Sequence, residues 1–187
     1  MLLPQSRVRT PLQKAIVATL FIVVVVGFGT LVYVTENYFR SLPRVTDREK
    51  QEDDIREATF RYQFVHDEGG RPRQRWKAAV YFLSLWGTGE DGKDPSDDFI
   101  KRFAGNVPPV KKYSQSSIDD EQDIIDDETR ARSVIFRVTK IVWFGQSNVE
   151  VSGGYYVGYL NSSGEVFYLE KKNGKWIVVK HELRWIS

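Results

Sequence analysis

The stretch EKKNGKWIVVKHELRWIS, residues 170–187, decides the fold class of this protein. Asn173-Gly174 is a two-residue turn signal, and apolar residues alternate on both sides of it. This pattern predicts a tight β-hairpin that completes an antiparallel sheet. One face of its second strand carries four apolar side chains, which we expect to be buried: Ile177, Val179, Leu183 and Trp185.

Three further segments of alternating residues precede this strand. They span approximately residues 131–144, 148–160 and 166–172, and the hairpin's second strand spans 175–185. The connections GQS, NSSGE and NG are as short as hairpin loops, so the four strands should form an antiparallel meander. Four residues of the second segment share a face that we also expect to be buried: Val149, Val151, Tyr155 and Val157.

Two helices and one strand are predicted before the meander. Helical spacing of apolar residues begins after Thr46 or Asp47, either of which can cap the helix, and HDEGG at 66–70 ends it. Residues 76–85 predict a strand. DPSDDFIKRFAG, 94–105, predicts a short helix capped by Asp94. Its buried face would consist of Phe99, Ile100 and Phe103.

Residues 107–129 have the composition of a long surface loop. They contain VPPV, SQSS and an acidic run with seven carboxylates between residues 119 and 128. The run lacks the glycine and the ligand spacing of a calcium-binding loop, so we predict a solvated segment without a metal.

This order of elements, with helices separated from a run of strands, predicts an α+β fold. Helices followed by a bent meander that ends in GKWIVVK resemble the cone-shaped nuclear transport factor 2-like fold, also called cystatin-like, over about residues 47–187. REATFRYQF, DPSDDFIKRF and VEVSGGYYVGYLNSSG are similar to segments of an uncharacterised bacterial family of membrane-anchored proteins with such a domain. That resemblance implies no activity.

Before this domain lies one candidate membrane segment. AIVATLFIVVVVGFGTLVYV begins at Ala15, ends at Val34 and contains no charged residue. Twenty residues of helix span about 30 Å, the thickness of the hydrocarbon core of a bilayer. We therefore predict a tail at 1–14, a transmembrane helix at 15–35, a linker at 36–46 and a domain at 47–187. The protein would be a single-pass protein of the cell membrane, with its body outside the cytoplasm.

The charges argue against nucleic-acid binding. The net charge is +2, yet residues 1–46 carry five basic side chains and one acidic one. The other 141 residues carry 22 basic and 24 acidic side chains, a balance of −2, whereas nucleic-acid-binding domains have a basic excess. The absence of cysteine excludes disulfides, zinc–thiolate sites and a cysteine nucleophile.

His181 is the one candidate for a catalytic base. It interrupts the apolar face of the last strand, so its side chain points either into the cone or to solvent. The sequence contains no phosphate-binding glycine loop, no serine-nucleophile elbow and no HExxH motif, and it predicts neither a cofactor nor a metal.

Two function classes remain after these exclusions. The first is a non-catalytic binding or assembly module at a membrane, through a protein partner or self-association. Its layout resembles the inner-membrane bridging subunits of type IV secretion systems. The second is a small-molecule binder or a lyase- or isomerase-like enzyme that uses the cone's cavity. A cavity filled by four aromatic side chains would exclude the second class: Phe60, Phe64, Trp143 and Trp176.

Overall fold

The structure, a computed structural model, describes residues 45–66, 78–86 and 92–187. These residues form an α+β fold, as the sequence predicts, with a large mixed sheet and few helices. No helix within this part of the chain is long and apolar enough to cross a membrane. The predicted tail, the membrane segment and most of the linker lie outside the described residues.

Helix α1, Val45–Val65, packs against one face of the sheet through buried residues such as Ile55 and Phe60. It is described from Val45 onward, so Thr46 and Asp47 lie within the described helix. The helix ends at Val65, directly before the HDEGG stop signal. The end of the helix was therefore predictable from the sequence.

Helix α2, Asp97–Lys101, also forms where the sequence predicts, but with a different cap. Ser96 Oγ accepts a hydrogen bond from Phe99 N at 3.1 Å. Asp94, the predicted cap, accepts instead from the backbone nitrogen of Ser114 at 2.9 Å and from its hydroxyl at 2.6 Å. Phe99 and Phe103 are buried against Phe60, so α2 extends the core beneath α1.

Six strands form the main sheet in the order β2-β1-β5-β6-β7-β8. Their bounds are β1 Tyr81–Ser84, β2 Val110–Lys112, β5 Val134–Trp143, β6 Asn148–Gly158, β7 Asn161–Lys172 and β8 Lys175–Ile186. The last four strands are the predicted antiparallel meander. Asn173 and Gly174 both have positive φ, as the hairpin turn between β7 and β8 requires.

Two features of the sheet differ from the prediction. Strand β7 begins at Asn161, so NSSGE belongs to the strand and the β6–β7 turn lies at residues 159–160. Strand β1 is shorter than the predicted 76–85 and runs parallel to both of its neighbours. The sheet is therefore mixed, because a parallel strand has been added beside the meander.

The prediction that residues 107–129 form a solvated loop is wrong. After β2 comes a 3₁₀ turn, Tyr113–Gln115, and then a two-stranded hairpin of β3, Ser116–Ile118, and β4, Ile124–Asp126. All three residues of β4 are buried. The physical reason is that two isoleucines supply apolar surface within the acidic run, while Lys111 Nζ lies 2.9 Å from the buried Asp126 carboxylate.

The two faces of the main sheet carry separate cores. Strand β1 alternates between them: Tyr81 and Leu83 belong to the large core beneath α1, whereas Val80, just before the strand, and Phe82 belong to a smaller one. The smaller core also includes Ile124, so the β3–β4 hairpin covers part of the face opposite to α1.

The apolar residues of β8 that the sequence predicts to be buried are exposed. Ile177, Val179, Leu183 and Trp185 are 43–48% exposed. Pairing with β7 shows that these residues do not share one face: Ile177 and Trp185 lie on the face away from α1, whereas Leu183 lies opposite Glu165 on the α1 face, because bulges at Val179 and Arg184 break the alternation. On β6, by contrast, Val149, Val151 and Tyr155 are buried as predicted, and Val157 packs against the core.

Candidate functional site

His181 lies in the middle of β8, opposite Phe167 of β7. Its ring stacks on the ring of Phe167, with centroids 5.0 Å apart and planes 9° apart. Its Nε2 lies 2.8 Å from Oε2 of Glu165, and the two side chains are 5% and 3% exposed. Of the two predicted orientations, His181 therefore has the inward one, and its partner is a buried carboxylate.

Glu165 is the site residue that the sequence analysis missed. The Ser163 hydroxyl donates a short hydrogen bond to Glu165 Oε1, and the same hydroxyl accepts from Tyr155 N at 3.4 Å. Ser163, Glu165 and Phe167 alternate along β7, so they share one face of the strand. A strand predicted from Asn161 instead of residue 166 would have placed Glu165 on the face of the buried Phe167.

Helix α1 covers this pair with its last two turns. The Tyr62 ring makes edge contacts with His181 at 5.8 Å and with Phe167 at 5.9 Å between centroids. Gln63 Nε2 donates to the carbonyl of Gly154 at 3.1 Å. Helix α1 therefore contacts strands β6, β7 and β8 around this pair.

Arg137 of β5 places a positive charge near this carboxylate. Its Nη2 donates to the Ser163 carbonyl at 2.7 Å, and its guanidinium lies 5.3 Å from the ring centre of Trp185. Burial lowers the pKa of the Arg137 guanidinium, while the negative charge of Glu165 acts in the opposite direction. Trp185 lies so close to Gly164 that a Cβ there would come within 2.1 Å of its indole nitrogen, so only glycine fits.

The order of these groups differs from that of a hydrolase triad. In a triad the histidine lies between the serine and the carboxylate and takes the serine proton. Here Glu165 lies between Ser163 and His181, and the histidine N–H is not aligned for a hydrogen bond to it. The arrangement gives the buried carboxylate a hydrogen bond from Ser163 and a close contact with His181, and it differs from the geometry that activates a serine nucleophile.

Two surface clefts lie elsewhere and have no contact with this pair. A cleft of about 420 Å³ lies between the β3–β4 hairpin and the main sheet, lined by Tyr113, Ser116, Ser117, Ile118, Ile124, Ile135 and Tyr156. A second, of about 520 Å³, is lined by Asp54, Glu57, Ala58, Arg61, Gly174, Lys175 and Trp176. The described residues contain no group of three or more acidic or histidine side chains that could hold a metal ion.

Aromatic side chains fill the space between α1 and the sheet. Phe60, Phe64, Trp143 and Trp176 are all buried there. Phe64 contacts Phe136 at 5.1 Å, and Trp143 meets Trp176 edge-on at 5.5 Å between ring centroids. These are the four aromatic side chains that the sequence analysis set against a ligand cavity, and all four pack in the core beneath α1.

No protein-family model, curated protein or solved structure matches this chain. Its function therefore has to be inferred from the filled interior, the buried Glu165–His181 pair and the exposed strand β8.

Proposed function

We propose that this protein is a single-pass membrane-anchored, non-catalytic binding or assembly module. The uncharged segment 15–34 is its anchor, and the described domain lies outside the cytoplasm. The domain is of the nuclear transport factor 2-like cone type. Support for the cone comes from α1, which packs against one face of a long antiparallel meander.

The observation that carries this proposal is the exposed apolar surface of β8. Ile177, Val179, Leu183 and Trp185 lie on a strand at the edge of the sheet, and each is more than two-fifths exposed. An edge strand offers backbone hydrogen-bonding groups as well as side chains, so long apolar edges are places where another chain pairs. Within the described residues, apolar side chains of β8 are available to a partner, and aromatic side chains pack the space between α1 and the sheet.

A small-molecule-binding or lyase- or isomerase-like enzyme is the second candidate. One observation favours it: a carboxylate and a histidine lie together beside Tyr62, the combination of groups that acid–base chemistry uses. Burial argues against it, because a base must reach the proton it removes and both side chains are almost fully covered.

Photo-cross-linking in native membranes tests the proposal. A photoreactive amino acid replaces Val179 on the β8 edge of the full-length chain, and the matched control replaces Lys140, which is exposed on the central strand β5. We expect a protein-sized adduct from position 179 and none from position 140. Equal labelling at both positions, or none at either, would contradict a binding role for the edge.

A further inference from the structure

Strand β8 has an edge that no other strand covers in the described part of the chain. It pairs with β7 on one side, is the last strand in the order of the sheet, and is 12 residues long. Short length, proline, bulges and charged side chains are common ways in which proteins block such edges. Strand β8 is long and has no proline, and its bulges and charges, at Val179, Lys180 and Arg184, restrict the registers in which another strand can pair with it. The question is therefore which chain can pair with it.

The sequence of β8 is complementary to itself about one residue. In antiparallel pairing of two copies centred on His181, residues equally distant from it lie opposite each other. Lys180 then faces Glu182 of the second copy, and the reverse pair forms by symmetry. In the same register the bulges at Val179 and Arg184 offset each other, so Ile177 lies opposite Trp185 and Val178 lies opposite Leu183. We propose that the partner of β8 is a second copy of this chain, which joins the two sheets in this register.

Pairings centred on a neighbouring residue of β8 place like charges opposite each other, which makes them less favourable than the pairing centred on His181. A pairing centred on Lys180 places the two Lys180 ammonium groups opposite each other. A pairing centred on Glu182 places Lys180 opposite Arg184. Like charges directly opposite each other are destabilising, whereas opposite charges and apolar pairs stabilise a sheet. Charge complementarity therefore selects the register centred on His181.

The charged side chains of this register already lie together within one copy. Lys180 Nζ is 2.5 Å from Glu182 Oε1, and Arg184 Nη2 is 2.9 Å from Glu182 Oε2. Lys180 is largely exposed, so its intrachain ion pair contributes little to stability and can be exchanged for the same pair between copies. Dimer formation then leaves no buried charge without a partner.

The inference rests on the proposed membrane anchor. An interface of one strand edge is small compared with the roughly 1,600 Å² of a stable complex, so we expect weak pairing between free domains. A shared membrane raises the effective concentration of the two copies. The two-fold axis of such a pair is perpendicular to the sheet, so helix α1 of both copies lies on the same face of the joined sheet.

Because the natural sequence contains no cysteine, any disulfide must form between the introduced cysteines. Full-length Lys180→Cys and Glu182→Cys chains carrying different tags are co-expressed, and their membranes are oxidised mildly. Residues directly opposite in antiparallel strands have Cα atoms about 4.5–5.5 Å apart, within the range of a disulfide. The control mixture pairs Lys180→Cys with Arg184→Cys, which lie opposite each other only in the shifted register.

We expect a disulfide-linked heterodimer from the first mixture, about tenfold more abundant than from the control. Heterodimer from the control mixture alone would overturn the register. Absence of heterodimer from both would overturn pairing with a second copy. If position 179 still cross-links to a different protein in that case, the proposed binding function stands while this inference fails.

Charge exchange provides an independent variant that leaves the core untouched. In Lys180→Glu, the new carboxylate of each copy lies opposite Glu182 of the other copy. We therefore expect about tenfold less dimer when the photoreactive amino acid at position 179 is used as the cross-linker. Adding Glu182→Lys reverses both charges and should restore the dimer. An unchanged dimer in the single variant would overturn the role of these pairs.

Discussion

The core beneath α1 and the outer part of β8 are built from similar residues but differ in what covers them. Beneath α1, Phe60, Phe136 and Phe167 are fully buried among other aromatic rings. On β8, Ile177 and Trp185 are about half exposed at the edge of the sheet. The first region stabilises the fold of one chain, whereas the second has apolar surface left over, which is typical of a binding surface.

The largest difference between the two regions should appear in folding stability. Phe136→Ala removes a fully buried ring and should lower the free energy of unfolding by about 3–5 kcal/mol. Val179→Ala, the matched apolar truncation at the edge, should change it by about 0.5 kcal/mol or less. Denaturant unfolding of the full-length chain in detergent micelles measures both values. Similar losses would mean that the edge belongs to the core.

Glu165 tests whether its polar cluster is part of this core. Glu165→Ala leaves the buried Ser163 hydroxyl without its acceptor and removes the carboxylate beside His181, so we expect a loss of about 2–4 kcal/mol. Glu165→Gln keeps a hydrogen-bond acceptor of the same size and should lose less. The same unfolding experiment compares the two variants. If Glu165→Ala is as stable as the natural protein, the cluster is open to water and the enzyme hypothesis gains support.

For Asp126, the contribution of a buried carboxylate to folding stability can be measured by its dependence on pH. Its burial, the largest single influence, would raise its pKa, but hydrogen bonds from Lys111 and Thr129 together outweigh burial and hold the pKa below its usual value. The stabilisation is therefore complete above the unfolded-state value and is lost as the pH falls through the lower folded-state pKa.

Asp126→Asn should consequently lower stability by about 1–3 kcal/mol at pH 7. The difference in the free energy of unfolding between this variant and the natural protein should become smaller below about pH 4. Unfolding curves recorded at pH 7 and below about pH 4 measure this difference. Asp127→Asn is the control, because Asp127 is exposed. A difference that does not depend on pH would show that the carboxylate charge is not what stabilises β4.

The smallest effect on stability should accompany a large effect on association. Val179→Lys places a charge on the edge, the means by which many proteins block strand pairing. We expect a change in the free energy of unfolding of about 0.5 kcal/mol or less. The heterodimer that Lys180→Cys and Glu182→Cys form should fall severalfold when both chains also carry this change. Unchanged dimer formation would show that apolar contacts at position 179 do not contribute.

The meander was predictable because its signals are local. Alternating residues and the Asn173-Gly174 turn specify neighbouring antiparallel strands without reference to the rest of the chain. The parallel pairing of β1 with β2 and β5 has no such signal, because its partners are distant in sequence. Strand β4 was missed because Ile124 and Ile125 lie in an acidic run whose overall composition resembles that of a loop.

The candidate site was predictable only in part. The interrupted apolar pattern drew attention to His181, but Glu165 was missed because its strand was started too late. The exposed apolar residues of β8 were predicted to share one face, because an ideal alternation does not include the bulges at Val179 and Arg184. One extra residue moves every following side chain to the other face, and the sequence carries no local mark of that insertion.

The central claim is that the domain binds another chain through β8 and holds no small molecule in its interior. Native mass spectrometry of the full-length chain, released from detergent micelles, tests this claim most directly. We predict masses of two chains, or of the chain with another protein, and no reproducible adduct of small-molecule size. A single chain that carries such an adduct, lost in His181→Ala, would contradict the account and place the function inside the cone.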